Sequence, residues 1–160
     1  MRVGQGFDAH AFDAQRPLML GGVAIPDHPG LVGHSDADVL SHAIADALLG
    51  AASLGDLGAL FPANDRRGAS SLDILRESAQ AVARAGWSVA NVDATVIAQS
   101  PKLAPHRQEM IRNLAAALAI DGSCVSVKAT TTDDLGFIGR SEGMAALAVV
   151  LIEQPAPARG

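Results

Sequence analysis

The sequence has one cysteine, Cys124, and a single thiol cannot close an internal disulfide. Cationic residues are in the minority: 12 Lys and Arg stand against 17 Asp and Glu, a net charge of −5. They are also scattered, so there is no electrostatic footprint for nucleic acid or for an anionic membrane surface. The longest apolar run, Met144 to Ile152, falls far short of the roughly 20 residues that a membrane-spanning helix needs, and reads instead as a buried strand. The opening Met-Arg-Val-Gly-Gln-Gly contains no hydrophobic signal region, so a soluble, cytoplasmic protein is expected. Neither a Walker loop nor a G-x-G-x-x-G run is present, so a bound nucleotide would need a less common arrangement. Internal repeats, linkers and low-complexity blocks are absent too.

What is there is an apolar fraction of 49% in 160 residues, enough for one domain with a single sizeable core. Arg2 to Phe12 reads as a strand, and Pro17 to Ile25, punctuated by Gly21-Gly22, as a short hairpin. Between Asp36 and Ser53, Val39, Leu40, Ala43, Ile44, Ala47 and Leu48 recur at helical spacing, with Ser35 or Asp36 as the expected cap. Gly55 to Pro62, with two glycines and a proline, reads as a loop. Ser70 to Asp73 reads as the cap of a second helix carried by Leu72, Leu75, Ala79 and Val82 and ending near Gly86. A strand from Trp87 to Gln99, a turn from Pro101 to Pro105, a helix from His106 to Ala119 and a strand from Val125 to Thr131 follow. A glycine-rich connection from Gly136 to Gly143 leads into the last strand. This alternation predicts an α/β (α+β) fold, a mixed sheet with helices packed on one face, over residues 1–154, with 155–160 a disordered tail. The first and last strands look apolar on both faces, which calls for a second cover, most simply other copies of the chain arranged around an axis.

Two segments carry chemistry. Alternate residues of a strand share a face, so Asp8 and His10 point the same way, and His42 would arrive from the neighbouring helix. Two imidazoles and a carboxylate with no fourth ligand form the pattern of a catalytic zinc, although each of these residues alone is more often an ordinary core or surface side chain. The second segment, Lys128-Ala-Thr-Thr-Thr-Asp-Asp-Leu-Gly136, ends a strand with three hydroxyls and two carboxylates, suited to phosphate oxygens and a hard cation, or simply to a polar turn. His34-Ser35 stands at a helix start, which can bind an anion or be only a cap. Cys124 has no activating neighbours and reads as structural.

These motifs lie in a longer ordered set: R-V-G-Q-G-F-D-A-H, then G-H-S-D-A-D-V-L-S-H-A-I-A-D-A-L-L-G-A-A-S-L-G-D-L-G-A-L-F-P, then N-V-D-A-T-V-I-A-Q-S-P-K-L and K-A-T-T-T-D-D-L-G-F-I-G-R-S-E-G. Across nearly its whole length the chain resembles the 2-C-methyl-D-erythritol 2,4-cyclodiphosphate synthase family of the non-mevalonate isoprenoid pathway. The resemblance implies a homotrimer whose sheets pack around a threefold axis, with active sites between subunits. It implies zinc on Asp8, His10 and His42, and a second divalent ion, Mg²⁺ or Mn²⁺, on Asp133. The implied substrate is 4-diphosphocytidyl-2-C-methyl-D-erythritol 2-phosphate, cyclised with release of CMP. His34 and Thr131 match the family's catalytic phosphate-positioning residues, with Ser35 beside them. Asp56, Leu57 and Gly58 match its methylerythritol contacts. The segment Ala98 to Ala104, with Lys102 and Leu103, matches its cytidine loop, together with Thr130, Thr132 and Asp133 of the adjoining subunit. Phe137 and Arg140 match an apolar channel that could take an isoprenoid diphosphate.

Three positions depart from the family pattern. Its F-P-D-T-D reads Phe61-Pro62-Ala63-Asn64-Asp65 here, so a contact carries over to Asp65 but not to Ala63. Asp133 stands where Glu is common, and Gln5 replaces a residue between the first glycines with no evident consequence. Two other functions fit the same residues: a zinc-dependent phosphoester hydrolase, since an open zinc site equally activates water, and a trimeric module that binds an isoprenoid diphosphate.

Overall fold

A computed structural model describes residues 1–61 and 68–154. The expected contact at Asp65, the departures at Ala63 and Asn64, and the expected tail at 155–160 lie outside the described residues. Strand β1 spans Arg2–Leu20 and serves two ladders. Its first half, Arg2 to Ala11, pairs antiparallel with the last strand, β5 (Gly143–Glu153). Its second half pairs antiparallel with β2 (Val23–Leu31), with register irregularities around Asp13 and Pro17 where the strand passes from one partner to the other. The separate strand and short hairpin expected from the sequence are thus one long strand and its return. Proline ends the regular pairing without ending the strand, because on this stretch β1 no longer needs a donor toward β5. Gly21 and Gly22, at φ 54° and 70°, form the two-residue hairpin turn, for which two positive φ values are needed.

Helix α1 (Val39–Ala52) begins at Asp38, rather than at Ser35 or Asp36 as expected. The Asp38 carboxylate accepts from Ser41 N at 3.1 Å, from Ser41 Oγ at 2.7 Å and from Gly22 N at 2.8 Å. The cap therefore also ties the hairpin turn to the helix, and its burial pushes the Asp38 carboxyl up from the ordinary value against these hydrogen bonds. Most residues of α1 are buried, as befits a helix packed between the sheet and the helix that begins at Ser71. The expected loop at Gly55 to Pro62 contains a short helix, α2 (Leu57–Leu60), capped by Asp56 through Ala59 N at 2.8 Å. After it come α3 (Ser71–Arg84), β3 (Ser88–Ile97), α4 (Arg107–Leu118), a 3₁₀ turn at Gly122–Cys124, and β4 (Val125–Thr130). The glycine-rich connection holds another short helix, α5 (Gly136–Gly139), before β5.

The five strands lie in the order β2-β1-β5-β3-β4, with β3 and β4 parallel and the other pairs antiparallel, so the sheet is mixed as expected. Helix α1 lies against β1 and β5 at very short range. A Cβ on Gly4 or Gly6 would come within 2.0 Å of the carbonyl oxygen of Ala47 or Ala43 respectively, so only glycine admits the helix there. The opposite face of the same strands stays open: Val3, Phe7 and Val149 are 67%, 57% and 40% exposed, and Phe7 is paired with Leu147 and Gln5 with Val149. This is the apolar, uncovered sheet face that the sequence pattern implied. Among the described residues no helix is long and apolar enough to cross a membrane.

Candidate active site

Gly4, Gly6, Asp8 and His10 share one face of β1, the face against α1. Because the two glycines let α1 approach, the helix residue beside Ala43, His42, reaches the strand. One ligand atom from each of Asp8, His10 and His42 lies within 4.8 Å of the others. The His10 and His42 rings are 5.6 Å apart between centroids. His10 Nε2 is 2.8 Å and His42 Nδ1 3.0 Å from the same oxygen, Asp8 Oδ2.

Hydrogen-bond bookkeeping decides what these atoms offer. A carbonyl oxygen can only accept, so at 2.6 Å from Val32 O the Nδ1 of His10 carries the proton and donates it, leaving the Nε2 lone pair toward Asp8. His42 turns its Nε2 to Ser71 Oγ at 3.0 Å. Ser71 Oγ in turn donates to Asp36, so Nε2 of a neutral His42 is the donor and its Nδ1 lone pair also faces Asp8. With both rings neutral, three electron-rich atoms converge with no proton between them, an arrangement that asks for a cation. The donor set, two imidazole nitrogens and one carboxylate oxygen, is the one zinc accepts with a position left open. In the metal-free chain with protons on the ring nitrogens that face Asp8, burial works to raise the Asp8 carboxyl, but hydrogen bonds from His10 and His42 outweigh it and hold the group well below the usual carboxylate range. The same carboxylate raises His10 above its ordinary value.

The cluster borders an open cavity of about 300 Å³, which His34, Ser35, Asp46, Leu57, Gly58 and Phe61 help to line. The loop that presents His34 is held from three sides. Arg16 donates to Gly33 O and Ser35 O, Gly68 N donates to His34 O at 2.9 Å, and Asp36 N donates to Ala69 O at 3.1 Å. His34 itself stays exposed at the cavity. The Ser35 hydroxyl is buried and turned inward, accepting from Ala37 N at 3.0 Å and lying 3.3 Å from Ser71 Oγ. Asp46, one helical turn after His42, accepts from Leu57 N at 2.8 Å and so positions the Asp56 to Gly58 segment. Burial raises its carboxyl above the ordinary value.

A second group forms where β3 and β4 end. Ala98 N donates to Thr130 O at 3.0 Å, Thr132 N to Gln99 Oε1 at 3.0 Å, and Gln99 Nε2 to Asp134 Oδ1 at 2.7 Å. Gln99 thus clips the Ala98 to Ala104 loop to the Thr130 to Asp134 turn. Thr130, Thr131 and Asp133 are exposed, as are Lys102 and Ala104, whereas Leu103 is buried. The Thr131 hydroxyl donates to Asp133 Oδ1 at 3.2 Å. Phe137 is exposed, and Arg140 pairs with Glu142 at 2.7 Å. None of these residues lines the metal-side cavity. Ala9 pairs with Ala145, Ala145 with Ile97, and Ile97 with Thr130, so both groups sit at one end of the sheet but three strand spacings apart, about 14 Å.

Residues 1–153 match the YgbB family. The chain belongs to the YgbB family. A curated 2-C-methyl-D-erythritol 2,4-cyclodiphosphate synthase from Syntrophomonas wolfei subsp. wolfei is 59% identical over 96% of this chain and 99% of its own length. One of the same name from Syntrophobacter fumaroxidans is 56% identical over 95% and 97%. Among solved structures, the Plasmodium falciparum IspF in complex with CDP superposes with a TM-score of 0.84 at 37% identity, covering 97% of each chain. The bifunctional IspDF from Campylobacter jejuni gives 0.93 at 47%, with 96% of this chain matching 42% of that longer one. The family's assignment as a synthase enzyme, expected from the motifs, is borne out by these relatives. Asp46 was not singled out from the sequence, and Asp36, Ser71 and Gln99 were read there only as cap or strand-end residues. Their partners are 11 to 35 residues away, and no short motif marks them.

Proposed function

We propose that this protein cyclises 4-diphosphocytidyl-2-C-methyl-D-erythritol 2-phosphate to 2-C-methyl-D-erythritol 2,4-cyclodiphosphate. An oxygen of the 2-phosphate attacks the β-phosphorus, and a new P–O bond forms there. The bond from that phosphorus to the oxygen bridging to the α-phosphorus breaks, and CMP leaves with the bridging oxygen. The observation that carries the reading is the convergence of Asp8, His10 and His42 side-chain atoms on a cavity bordered by His34, Leu57 and Gly58. The chain needs no nucleophile of its own, because its task is to hold two phosphates at attack distance and to balance their charge. Asp8, His10 and His42 would hold zinc, and Asp133 a second divalent ion, together supplying Lewis-acid neutralisation of the diphosphate.

His34, exposed beside the cavity, and Thr131, exposed on the β4 turn, orient the phosphates from opposite sides. The Asp56 segment, held by Asp46, receives the methylerythritol hydroxyls, and the Ala98 to Ala104 loop with Lys102 grips the cytidine. The 14 Å between the two groups within one sheet favours a site completed by the turn of a neighbouring subunit, in a homotrimer whose Val3, Phe7 and Val149 faces cover one another. Residues 1–154 form the enzymatic domain, working in the cytoplasm.

Incubating the protein with this substrate, Zn²⁺ and Mg²⁺ and following phosphorus NMR tests the reading. A cyclic diphosphate and CMP are expected in equal amounts. A linear phosphate product would instead make the chain a zinc-dependent hydrolase.

A further inference from the structure

We propose that Ser71 and Asp36 are positioning residues that select which nitrogen of His42 faces the metal site. The inference rests on the reading that Asp8, His10 and His42 hold a metal ion. Ser71 is the first residue of α3 and fully buried, and it is 29 residues from His42 in sequence and 35 from Asp36.

The protons can be placed one by one. Asp36 is a carboxylate and accepts only; it takes the Ser71 N–H at 3.1 and 3.0 Å to its two oxygens, and the Ser71 hydroxyl as well. With its own proton committed to Asp36, Ser71 Oγ has only lone pairs for other partners. The Ser35 hydroxyl, whose oxygen already receives Ala37 N–H, supplies one hydrogen to it over 3.3 Å. The geometry assigns the other to His42 Nε2 at 3.0 Å, a shorter contact than the 3.3 Å between that nitrogen and Ser35 Oγ. His42 therefore keeps its proton on Nε2, and the Nδ1 lone pair is turned toward Asp8 Oδ2 and the ligand cluster.

The opposite tautomer would set the Nε2 lone pair against the Ser71 lone pairs. It would also let Nδ1–H donate to Asp8, and a His42 that donates to Asp8 is not a ligand. Two states of one ring thus compete, and the Asp36–Ser71 pair decides between them. Partners in this position affect metal affinity by roughly 10- to 100-fold when removed.

The test compares Ser71→Ala, Asp36→Asn and a control, Ser78→Ala, with the parent chain. Ser78 is buried in the same helix, but its hydroxyl donates to Ile74 O at 2.9 Å, away from the cluster. Zinc dissociation constants come from chelator competition, and the His42 tautomer in the metal-free protein from imidazole ¹⁵N shifts. Ser71→Ala is expected to weaken zinc binding roughly 10- to 100-fold and to move His42 toward the Nδ1–H form, with Ser78→Ala unchanged in both. Asp36→Asn should move both readouts the same way, and it carries the test if Ser71→Ala does not fold. Zinc affinity within twofold of the parent in Ser71→Ala, or an equal loss in Ser78→Ala, overturns the proposal while leaving the metal reading intact. A parent chain that takes up no zinc overturns both.

Discussion

Replacing Gly6 by alanine tests whether the approach of α1 to β1 builds the metal cluster. An added Cβ would lie 2.0 Å from Ala43 O and 2.7 Å from Ala47 N, where Cβ contacts under 3.0 Å essentially do not occur. Both obstacles are helix backbone, which cannot rotate aside, so α1 must withdraw by about 1 Å at the residue next to His42. Overpacking of this kind costs about 1–3 kcal/mol, which for a domain of this size lowers Tm by roughly 3–10 °C. The effect on the site is larger than the effect on the fold. Zinc–ligand distances of about 2.0–2.2 Å tolerate deviations of only about 0.2 Å, so a 1 Å withdrawal of His42 leaves two good ligands. Zinc affinity is expected to fall at least about 100-fold, more than loss of a single supporting hydrogen bond would produce. The assays are urea unfolding in excess chelator and zinc competition. Gly50→Ala serves as the contrast: an alanine there meets nothing within 4 Å, and replacing glycine inside a helix stabilises by up to about 1 kcal/mol. If Gly6→Ala unfolds within about 0.5 kcal/mol of the parent and binds zinc within threefold, the close-approach argument fails.

His42→Ala is expected to lose zinc by elemental analysis while keeping the parent's far-UV dichroism, since α1 is held by its apolar residues; full zinc occupancy in a folded variant would remove His42 from the ligand set. Asp133→Asn should strongly cut Mg²⁺-dependent cyclisation with zinc content unchanged, and Asp133→Glu should stay active. Asp134→Asn, which keeps an oxygen for the Gln99 amide, should change little, and phosphorus NMR rates in the reverse order would shift the assignment by one residue. In the metal-free chain, the stability that Asp8 contributes is fully present above its unfolded value near 3.8 and is lost as pH falls through its lowered folded value. The contribution of His10 is fully present below its unfolded value near 6.5 and is lost as pH rises through its raised folded value. Unfolding free energy in chelator should therefore be greatest between about pH 4 and 6.5, and His10→Asn should flatten the alkaline flank and, because His10 also helps to lower Asp8, shrink the acid one. If the chain forms the proposed homotrimer through the open sheet face, Phe7→Glu should leave monomers in sedimentation velocity; an unchanged trimer mass would place the interface elsewhere.

The parts of the site that the sequence made legible are those with a local period. Asp8 and His10 are two apart on a strand, and His42 sits among residues at helical spacing, so strand and helix geometry alone brought the three together. The order of strands and helices was legible for the same reason. The helix cap was not, because Ser35, Asp36 and Asp38 all suit a helix start, and tertiary partners assign their roles. Gly22 N draws Asp38 to the cap, and Ser71 draws Asp36 away from it. The short helix after Asp56 was hidden by the flanking glycines and proline, although the Asp56 cap was there to be read. Asp46 and Gln99 owe their roles to backbone groups and side chains distant in sequence, and nothing within a few residues of either reports it.

The first half of β1 carries two messages interleaved at single-residue spacing: Gly4, Gly6, Asp8 and His10 address the helix and its His42, while Val3 and Phe7 address the open face. An individual letter of either message can be altered without touching the other. An inserted or deleted residue between Val3 and His10, however, would exchange the two sets, turning the ligands outward and driving Phe7 against the helix backbone. This segment can therefore drift by substitution but not by change of length, and variation in the number of residues among proteins built this way belongs in their loops.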